Sequence, residues 1–306
     1  MKHLLKLSDL SAAELYHILD AADALKAAHK AGADAPLLRG KSVALLFSKL
    51  STRTRTSFEV GVYQLGGLGS DLNTETELQS VRGEPLKDTA RVLGRYYDAI
   101  VWRTYQQSEL ETMAQYAGVP VISGLTDYAH PCQVLADLMT IREHRGALAG
   151  QKLAYVGDGN NMANSLIVGG LLAGMRVSAA CPAGYRPAAD VLAWAARYGA
   201  AFSFGEDPAA AVAGADAVAT DAWVSMNRGA EAEADRRRRA FRPYQVNEAL
   251  LAHAARGAMV LHCLPAHHGQ EITDAVFEAH AAEIFDEAEN RLHVQKAVLA
   301  ILLAGY

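Results

Sequence analysis

The stretch that decides the fold reads "SVALLFSKLSTRTRTSFE" and runs from residue 42 to residue 59. Its first six residues form a short apolar run, which is typical of a buried β-strand. The hydroxyl-rich residues that follow are those that favour the start of a helix, and Ser51 or Thr52 is suited to cap it. A strand that passes directly into a helix is the building unit of a parallel sheet covered by helices.

The same alternation continues along the chain and predicts an α/β fold with parallel sheets flanked by helices. The predicted strands are residues 42–47, 99–102, 119–123, 153–156, 177–180, 217–220 and 259–263. The predicted helices are residues 85–96, 106–117, 131–144, 162–173, 187–198 and 287–303, together with one that opens at a capping box beginning at Ser11.

The length of 306 residues predicts two domains of ordinary size. The rhythm of strands and helices is interrupted at Gly146 and Gly150, and we place the junction there. The first domain is therefore predicted to comprise residues 1–146 and the second residues 147–286.

The composition excludes several classes of function. A net charge of −5 argues against nucleic acid as a partner, and no apolar stretch is long enough for a membrane span. Three widely spaced cysteines, Cys132, Cys181 and Cys263, suit a reducing cytoplasm and match neither a disulfide framework nor a zinc site. The basic run at residues 235–239, "DRRRR", is interpreted as a solvated loop or helix face.

The cluster Ser51 to Thr54 predicts an anion site. Free N–H groups at the start of a helix, the helix dipole and the charge of Arg53 would together favour a phosphate. In the alternative interpretation the hydroxyls only cap the helix, and Arg55 pairs with Glu59 one turn later.

Three further polar loops follow predicted strands. In "HPCQ", Pro131 suits the first helical position, which places His130 at the cap and Gln133 one turn later, where both can grip a carbonyl group. "GDGNN" at residues 157–161 lacks the spacing of a dinucleotide fingerprint and is better suited to a small polar molecule. Asp221 is a candidate for holding an amine. Taken alone, His130 can also be only a helix cap, and Cys263 an inert buried thiol.

Taken together, these segments resemble the aspartate and ornithine carbamoyltransferase family, and within it most closely the ornithine carbamoyltransferases. The resemblance covers nearly the whole chain and lies in the order of its motifs: "STRTRTSFE", "GEPLKDTARVLGRYYDAIVWRTY", "HPCQ", "GDGNNMANS", "DAWVSM", "FRPYQVNEALL", "HCLPAHHG" and "FDEAENRLHVQKAVL". The sequence departs from the family's usual pattern in three places. Asn227 stands where glycine is usual, "ELQSVRGEP" replaces the more usual "SQLGRGEP", and His268 stands where many relatives have arginine.

The resemblance implies the roles of individual residues. For carbamoyl phosphate it implies Ser51, Thr52, Arg53, Thr54, Gln79, Arg103, His130, Gln133, Cys263, Leu264 and Arg291. Among these, Arg53, Arg103, His130 and Cys263 are expected to be catalytic, and Gln79 is expected to reach the site of a neighbouring subunit. For L-ornithine it implies Asn161, Asp221, Ser225 and Met226.

The implied reaction transfers the carbamoyl group from carbamoyl phosphate to the δ-amine of L-ornithine, which gives L-citrulline and phosphate. The first domain, joined by the last helix, 287–306, would bind carbamoyl phosphate, and the second would bind L-ornithine. The resemblance also implies a homotrimer or a larger assembly of trimers, two helices that bridge the domains, and neither metal nor cofactor. Two alternatives stay open: a carbamoyltransferase for putrescine or a modified ornithine, and a non-catalytic member of the fold that binds the same ligands.

Overall fold

The computed structural model describes residues 1–48, 51–74, 83–223 and 231–306, and the chain divides into two compact units. Unit 1 comprises Met1–Met139 and Glu289–Tyr306, and unit 2 comprises Thr140–Ala288. The chain leaves unit 1 within one long helix and returns to it within another. The domain boundaries predicted from the sequence lie near the ends of the same two helices, and they stay a prediction.

Unit 1 is a parallel sheet with helices, as the sequence predicts. Its strands are β1 (Ser42–Phe47), β2 (Leu68–Asn73), β3 (Ala99–Arg103) and β4 (Val121–Leu125). Its helices are α1 (Ala12–Lys30), α2 (Thr52–Gln64), α3 (Leu86–Tyr96), α4 (Gln107–Tyr116), the first part of α5 (Pro131–Arg145) and the last part of α12 (Ala281–Ala304). Within the described residues the strand order is β2-β1-β3-β4, so the apolar β1 and β3 occupy the centre.

Unit 2 repeats the design with a larger sheet. Its strands are β5 (Lys152–Val156), β6 (Arg176–Ala180), β7 (Phe202–Gly205), β8 (Ala217–Thr220) and β9 (Met259–His262). Its complete helices are α6 (Asn161–Leu172), α7 (Ala189–Ala195), α8 (Pro208–Val212), α9 (Glu231–Phe241), α10 (Glu248–Leu251) and α11 (Asp274–Ala279). Among the described residues the strand order is β7-β6-β5-β8-β9, with all pairs parallel. The polar loops after β5, β8 and β9 therefore share one edge of the sheet.

All seven predicted strands are present, but the sequence misses β2 and β7. Both are edge strands, and all of their residues are exposed or half-buried. Because β2 reads "LGSDLN" and β7 reads "FSFG", neither carries the continuous apolar run that marks a strand buried on both faces. β2 pairs with β1 and β7 pairs with β6, and their extended conformation depends on this pairing. The residues of the two edge strands alone do not indicate it.

Two helices differ in length from their predictions. The predicted helix over 187–198 is shorter in the structure, because α7 ends at Ala195 and passes into a 3-10 helix that includes Gly199 at φ 55°. The last helix is longer than predicted and begins at Ala281. The capping box at Ser11 is confirmed, since Ser11 and Glu14 exchange hydrogen bonds at the start of α1.

The part of α12 in unit 1 buries several polar side chains against its neighbours. Lys296 is fully buried and donates from Nζ to Asp34 Oδ1 at 2.8 Å and to Gln64 Oε1 at 3.0 Å. His293 is 1% exposed, and burial lowers its pKa to about 4 against the pull of the Glu289 carboxylate. Neutral His293 is therefore part of the folded core of unit 1.

This burial predicts a loss of stability in mild acid. Between pH 6.5 and about 4 the unfolded chain binds a proton at His293 that the folded chain does not bind, so stability falls as the pH is lowered through this range. We expect this residue to account for about 2 kcal/mol of the loss between pH 7.5 and 5. His293→Gln, which is neutral at both pH values, should lose that much less in urea titrations followed by circular dichroism. An equal loss in wild type and His293→Gln would contradict the assignment, and His253→Gln, at an exposed position, is the control.

Candidate functional site

The hydroxyl-rich stretch begins a helix where the sequence predicts one. Ser51 is the N-cap of α2, and its Oγ accepts a hydrogen bond from the Thr54 backbone N–H at 3.2 Å. Thr52 and Arg53 occupy the first two helical positions with exposed side chains, whereas Thr54 is buried. The positive end of the α2 dipole and the charge of Arg53 are thus on the same turn, as an anion site requires.

Two arginines converge on the Thr54 hydroxyl. Arg103, the last residue of β3, approaches Thr54 Oγ1 with Nη1 at 3.3 Å, and Arg291 of α12 donates to the same oxygen from Nη2 at 2.9 Å. Arg291 Nη1 also donates to Gln133 Oε1, and Gln133 Nε2 donates to Asp137 Oδ1 at 2.9 Å. Because Thr54 Oγ1 accepts from both guanidinium groups, its own hydrogen is the group it can offer to a ligand oxygen.

His130 belongs to the same cluster. It is buried immediately before Pro131, the first residue of α5, as predicted from "HPCQ". Burial, followed by the positive charges of Arg291, Arg103 and Arg53, holds its pKa well below the ordinary value for histidine. The imidazole is therefore neutral at physiological pH, and the positive charge of the cluster comes from the arginines.

The alternative interpretation of the arginine cluster is wrong in one detail. The partner of Arg55 is Asp71 of β2, at 2.5 Å, and not Glu59. Arg55 is thereby engaged at the edge strand, while Arg53, two residues earlier, acts electrostatically on His130. The two arginines of "STRTRTSFE" consequently have different environments, although the sequence presents them as a pair.

In unit 2 the candidate residues gather around Asp221, which follows β8. Its Oδ1 accepts from the Ala222 backbone N–H at 2.7 Å and from Cys263 Sγ at 3.1 Å, and its Oδ2 accepts from Asn160 Nδ2 at 2.7 Å. Cys263 and Asn160 follow β9 and β5, the two neighbours of β8 in the sheet. A carboxylate held by these donors is suited to orient an amine.

Asn160 also belongs to this cluster, although the sequence pointed to it only as part of the "GDGNN" loop and the ligand role was given to Asn161. Its Oδ1 caps α6 by accepting from the Met162 and Ala163 backbone N–H groups, while its Nδ2 reaches Asp221. Asn161, the predicted ligand, is the first helical residue. The signal was present in the sequence, because Asn is a favoured N-cap residue and would be expected to face the loop at the helix start.

The loop that carries Cys263 and Leu264 is stabilised by a hydrogen bond to buried His262. Leu264 has φ 56°, unusual for a residue with a branched side chain, and its N–H donates to His262 Nδ1 at 2.9 Å. The His262 proton is therefore on Nε2, which lies 3.1 Å from Glu271 Oε1. Although burial alone would raise the pKa of Glu271, hydrogen bonds from His262 and the His267 backbone keep that pKa below its usual value.

Several predicted residues lie outside the described ranges: Gln79, Ser225, Met226 and the unusual Asn227. Of the others, the structure brings together Thr54, Arg103, His130, Gln133 and Arg291 in unit 1, and Asp221 and Cys263 in unit 2. Among the residues that the structure describes, there is no group of three or more acidic, histidine or cysteine side chains able to hold a metal ion. Within the same ranges, no helix is long and apolar enough to cross a membrane.

Comparison with known proteins decides the family. Residues 2–143 match the model "Aspartate/ornithine carbamoyltransferase, carbamoyl-P binding domain", and residues 149–302 match "Aspartate/ornithine carbamoyltransferase, Asp/Orn binding domain". The chain belongs to the aspartate/ornithine carbamoyltransferase family. In this carbamoyltransferase the first matched region contains Thr54, Arg103, His130 and Gln133, and the second contains Arg291 together with the Asp221 cluster.

Individual relatives are similar in sequence to this family member over nearly its full length. The chain is 51% identical to the ornithine carbamoyltransferase of Carboxydothermus hydrogenoformans over 99% of this chain and 97% of the relative. It is 53% identical to that of Gloeobacter violaceus over 99% and 96%. Among solved structures, the ornithine carbamoyltransferase of Pyrococcus furiosus superposes with a TM-score of 0.94 at 49% identity, covering 100% of this chain and 98% of the other.

Proposed function

We propose that this protein is an ornithine carbamoyltransferase, which transfers the carbamoyl group of carbamoyl phosphate to the δ-amine of L-ornithine. The observation that carries the proposal is the convergence of Arg103 and Arg291 on the Thr54 hydroxyl, beside a neutral His130 and the start of α2. Such a cluster provides charge for a phosphate and neutral or cationic donors for a carbonyl oxygen. Full-length similarity to proteins named ornithine carbamoyltransferase supports the acceptor.

In the proposed mechanism, unit 1 holds carbamoyl phosphate. Arg53 and backbone N–H groups at the start of α2, including that of Thr52, bind the phosphate together with the Ser51 and Thr52 side chains. The carbonyl oxygen accepts hydrogen bonds from Arg103, His130 and the Thr54 hydroxyl, and these become stronger as negative charge develops on that oxygen. Neutral His130 suits this role because it can donate a hydrogen bond without adding a further buried charge.

Arg291 and Gln133 complete the carbamoyl side. Arg291 donates to both Gln133 and Thr54, so it fixes the orientation of two side chains that would contact the carbamoyl group. A guanidinium suits this position because its planar fork can donate to two acceptors at once. Cys263 and Leu264 are in unit 2, and their predicted contact with the carbamoyl group remains part of this proposal.

Unit 2 binds L-ornithine through Asn161, Asp221, Ser225 and Met226, with Asn160 orienting Asp221. The δ-amine attacks the carbonyl carbon as the neutral base, forming the new C–N bond. The C–O bond to phosphate then breaks, and phosphate leaves with the bonding electrons. An alkylamine has a pKa near 10.4 in water, so the ornithine ammonium must first lose one proton to solvent. After attack the nitrogen carries a second proton to be lost, and the departing phosphate accepts it.

The proposal extends to the assembly and compartment of the protein. A homotrimer, alone or within larger shells, is supported by the exposed side chains of Tyr63, Leu68 and Tyr96 in unit 1, at 80%, 63% and 72% exposure. A reducing cytoplasm is supported by the reduced state of Cys132, Cys181 and Cys263, which form no disulfide. Burial raises the pKa of the Cys132 thiol to about 12, so that thiol is inert.

The experiment that tests the function supplies carbamoyl phosphate with L-ornithine, putrescine, N-acetylornithine or L-aspartate in parallel reactions. We expect rapid formation of citrulline with ornithine and little product with the other acceptors. Preference for putrescine or N-acetylornithine would retain the carbamoyl phosphate half and overturn the roles given to the unit 2 residues. Binding of both ligands without any product would favour the non-catalytic alternative.

A further inference from the structure

One arginine of the "DRRRR" run has an environment that a solvated helix face does not predict. The Arg237 side chain is 15% exposed, compared with 68% for Arg236 and 46% for Arg238. The latter two pair with acids of their own helix, Glu233 at 2.7 Å and Asp235 at 2.6 Å. The interpretation of the run as solvated therefore holds for its neighbours and is wrong for Arg237.

Arg237 connects three segments of unit 2. Its Nε donates to the Trp223 backbone oxygen at 2.7 Å, and its Nη2 donates to Asp158 Oδ2. The guanidinium carbon also lies 4.7 Å from the centre of the Tyr185 ring and 5.0 Å from that of Phe241. A planar group with five N–H donors can combine these contacts, whereas a lysine ammonium cannot.

These contacts lie next to the candidate acceptor site. Asp158 is two residues before Asn160, and Trp223 is two residues after Asp221. Asn160 and Asp221 are themselves joined at 2.7 Å. Arg237 thus connects the two loops whose side chains form this hydrogen bond, through residues other than Asn160 and Asp221 themselves.

The loop that carries Asp158 is restrained on its other side as well. The Tyr155 hydroxyl donates to the Asp158 backbone oxygen at 2.7 Å, and the Gly159 N–H donates to the Tyr185 backbone oxygen at 2.9 Å. A Cβ at Gly159 would lie 2.2 Å from the Arg186 carbonyl carbon, so the backbone approach is close. Because these contacts fix the position of the Asp158 loop, the distance between Asn160 and Asp221 depends on the contacts that fix the segment from Asp221 to Trp223.

We infer that Arg237 is a positioning residue for the acceptor amino acid: it sets the distance between Asn160 and Asp221 by binding Asp158 and the Trp223 carbonyl. The inference rests on the proposed function, since it concerns the ornithine side of that site. Arg237 does not touch substrate itself. Removing it leaves the Asp158 carboxylate without its guanidinium partner and releases the main chain beside Asp221, which weakens ornithine binding.

The test compares Arg237→Gln with Arg239→Gln, an exposed arginine of the same helix, in steady-state assays that vary each substrate. We expect Arg237→Gln to raise the KM for ornithine roughly tenfold or more and to change the KM for carbamoyl phosphate by less than about twofold. Arg239→Gln should match wild type. Equal ornithine KM values in the two variants, or a parallel rise in both KM values for Arg237→Gln, would overturn the inference.

Two further variants make the test independent of folding defects. Arg237→Lys keeps the positive charge and should show the same selective effect on ornithine at a smaller size, so it replaces the glutamine variant if that fails to fold. Asp158→Asn should raise the ornithine KM in the same direction, and the double variant should be less than additive. Additive effects would show that the pair does not act as a unit. If the wild type carbamoylates no ornithine, the proposed function is refuted and the inference falls with it. That outcome is distinct from a failure of the inference alone, in which the wild type is active and the variants behave alike.

Discussion

Replacing Arg53 by alanine is expected to lower kcat/KM for carbamoyl phosphate about a hundredfold or more, the range of a lost charged hydrogen bond to a developing anion. Arg53 is at the second position of α2, where its charge adds to the dipole of the helix. It is exposed, so its loss should leave the fold intact. The measurement is initial velocity at subsaturating carbamoyl phosphate with saturating ornithine.

Arg55→Ala is the matched control for this experiment. It removes the same side chain two residues later in the same helix, but Arg55 is paired with Asp71 and is expected to affect turnover by less than about threefold. A comparable loss in both variants would indicate a general electrostatic effect of the helix. Near-normal turnover of Arg53→Ala at low carbamoyl phosphate would show that the assignment of Arg53 to the phosphate is wrong.

Gly94→Ala is expected to destabilise unit 1 by about 3 kcal/mol or more, through overpacking where two helices meet. Gly94 is in α3, and a Cβ built on it would lie 1.7 Å from the Ala117 backbone oxygen, at the end of α4. Backbone cannot move aside as a flexible side chain can, so the two helices must separate. That separation would open the apolar cluster that contains Leu93, Leu110 and Met113.

The sign of this prediction is informative because alanine favours a helix interior over glycine by about 1 kcal/mol. If packing were unimportant, the substitution would stabilise α3. We expect instead a fall in the melting temperature of roughly 5–10 °C, measured by differential scanning calorimetry. Gly205→Ala is the control, since a Cβ there meets nothing within 4 Å and the backbone is not in the left-handed region. A melting temperature of Gly94→Ala at or above that of wild type would contradict the predicted close approach.

Much of unit 1 and unit 2 could be predicted from short-range patterns. The central strands β1, β3, β5 and β8 are continuous apolar runs, and these runs reflect burial on both faces of a sheet. Caps such as Ser51 are set by residues within one turn, so they too are visible locally. The edge strands β2 and β7 are not, because their stability comes from neighbours distant in sequence.

The candidate site likewise has features that the sequence predicts and features that it does not. The order of the motifs was sufficient to predict the family and the residues Arg103, His130 and Asp221. It did not predict that Asn160 joins Asp221, or that His262 holds Leu264 through its Nδ1. Those contacts depend on side-chain directions at strand ends, which sequence spacing alone does not specify.

By itself, the sequence determined the α/β class, the central strands, the helix starts and the family, because periodicity, capping and motif order are local properties of the chain. Only the tertiary structure decided that arginines within one run have different environments. Arg53 and Arg55 look alike in sequence but differ in their environments, and Arg237 is mostly shielded from solvent while its neighbours Arg236 and Arg238 are exposed. The physical reason is that the environment of a charge is set by the groups packed around it, and those groups come from distant parts of the chain.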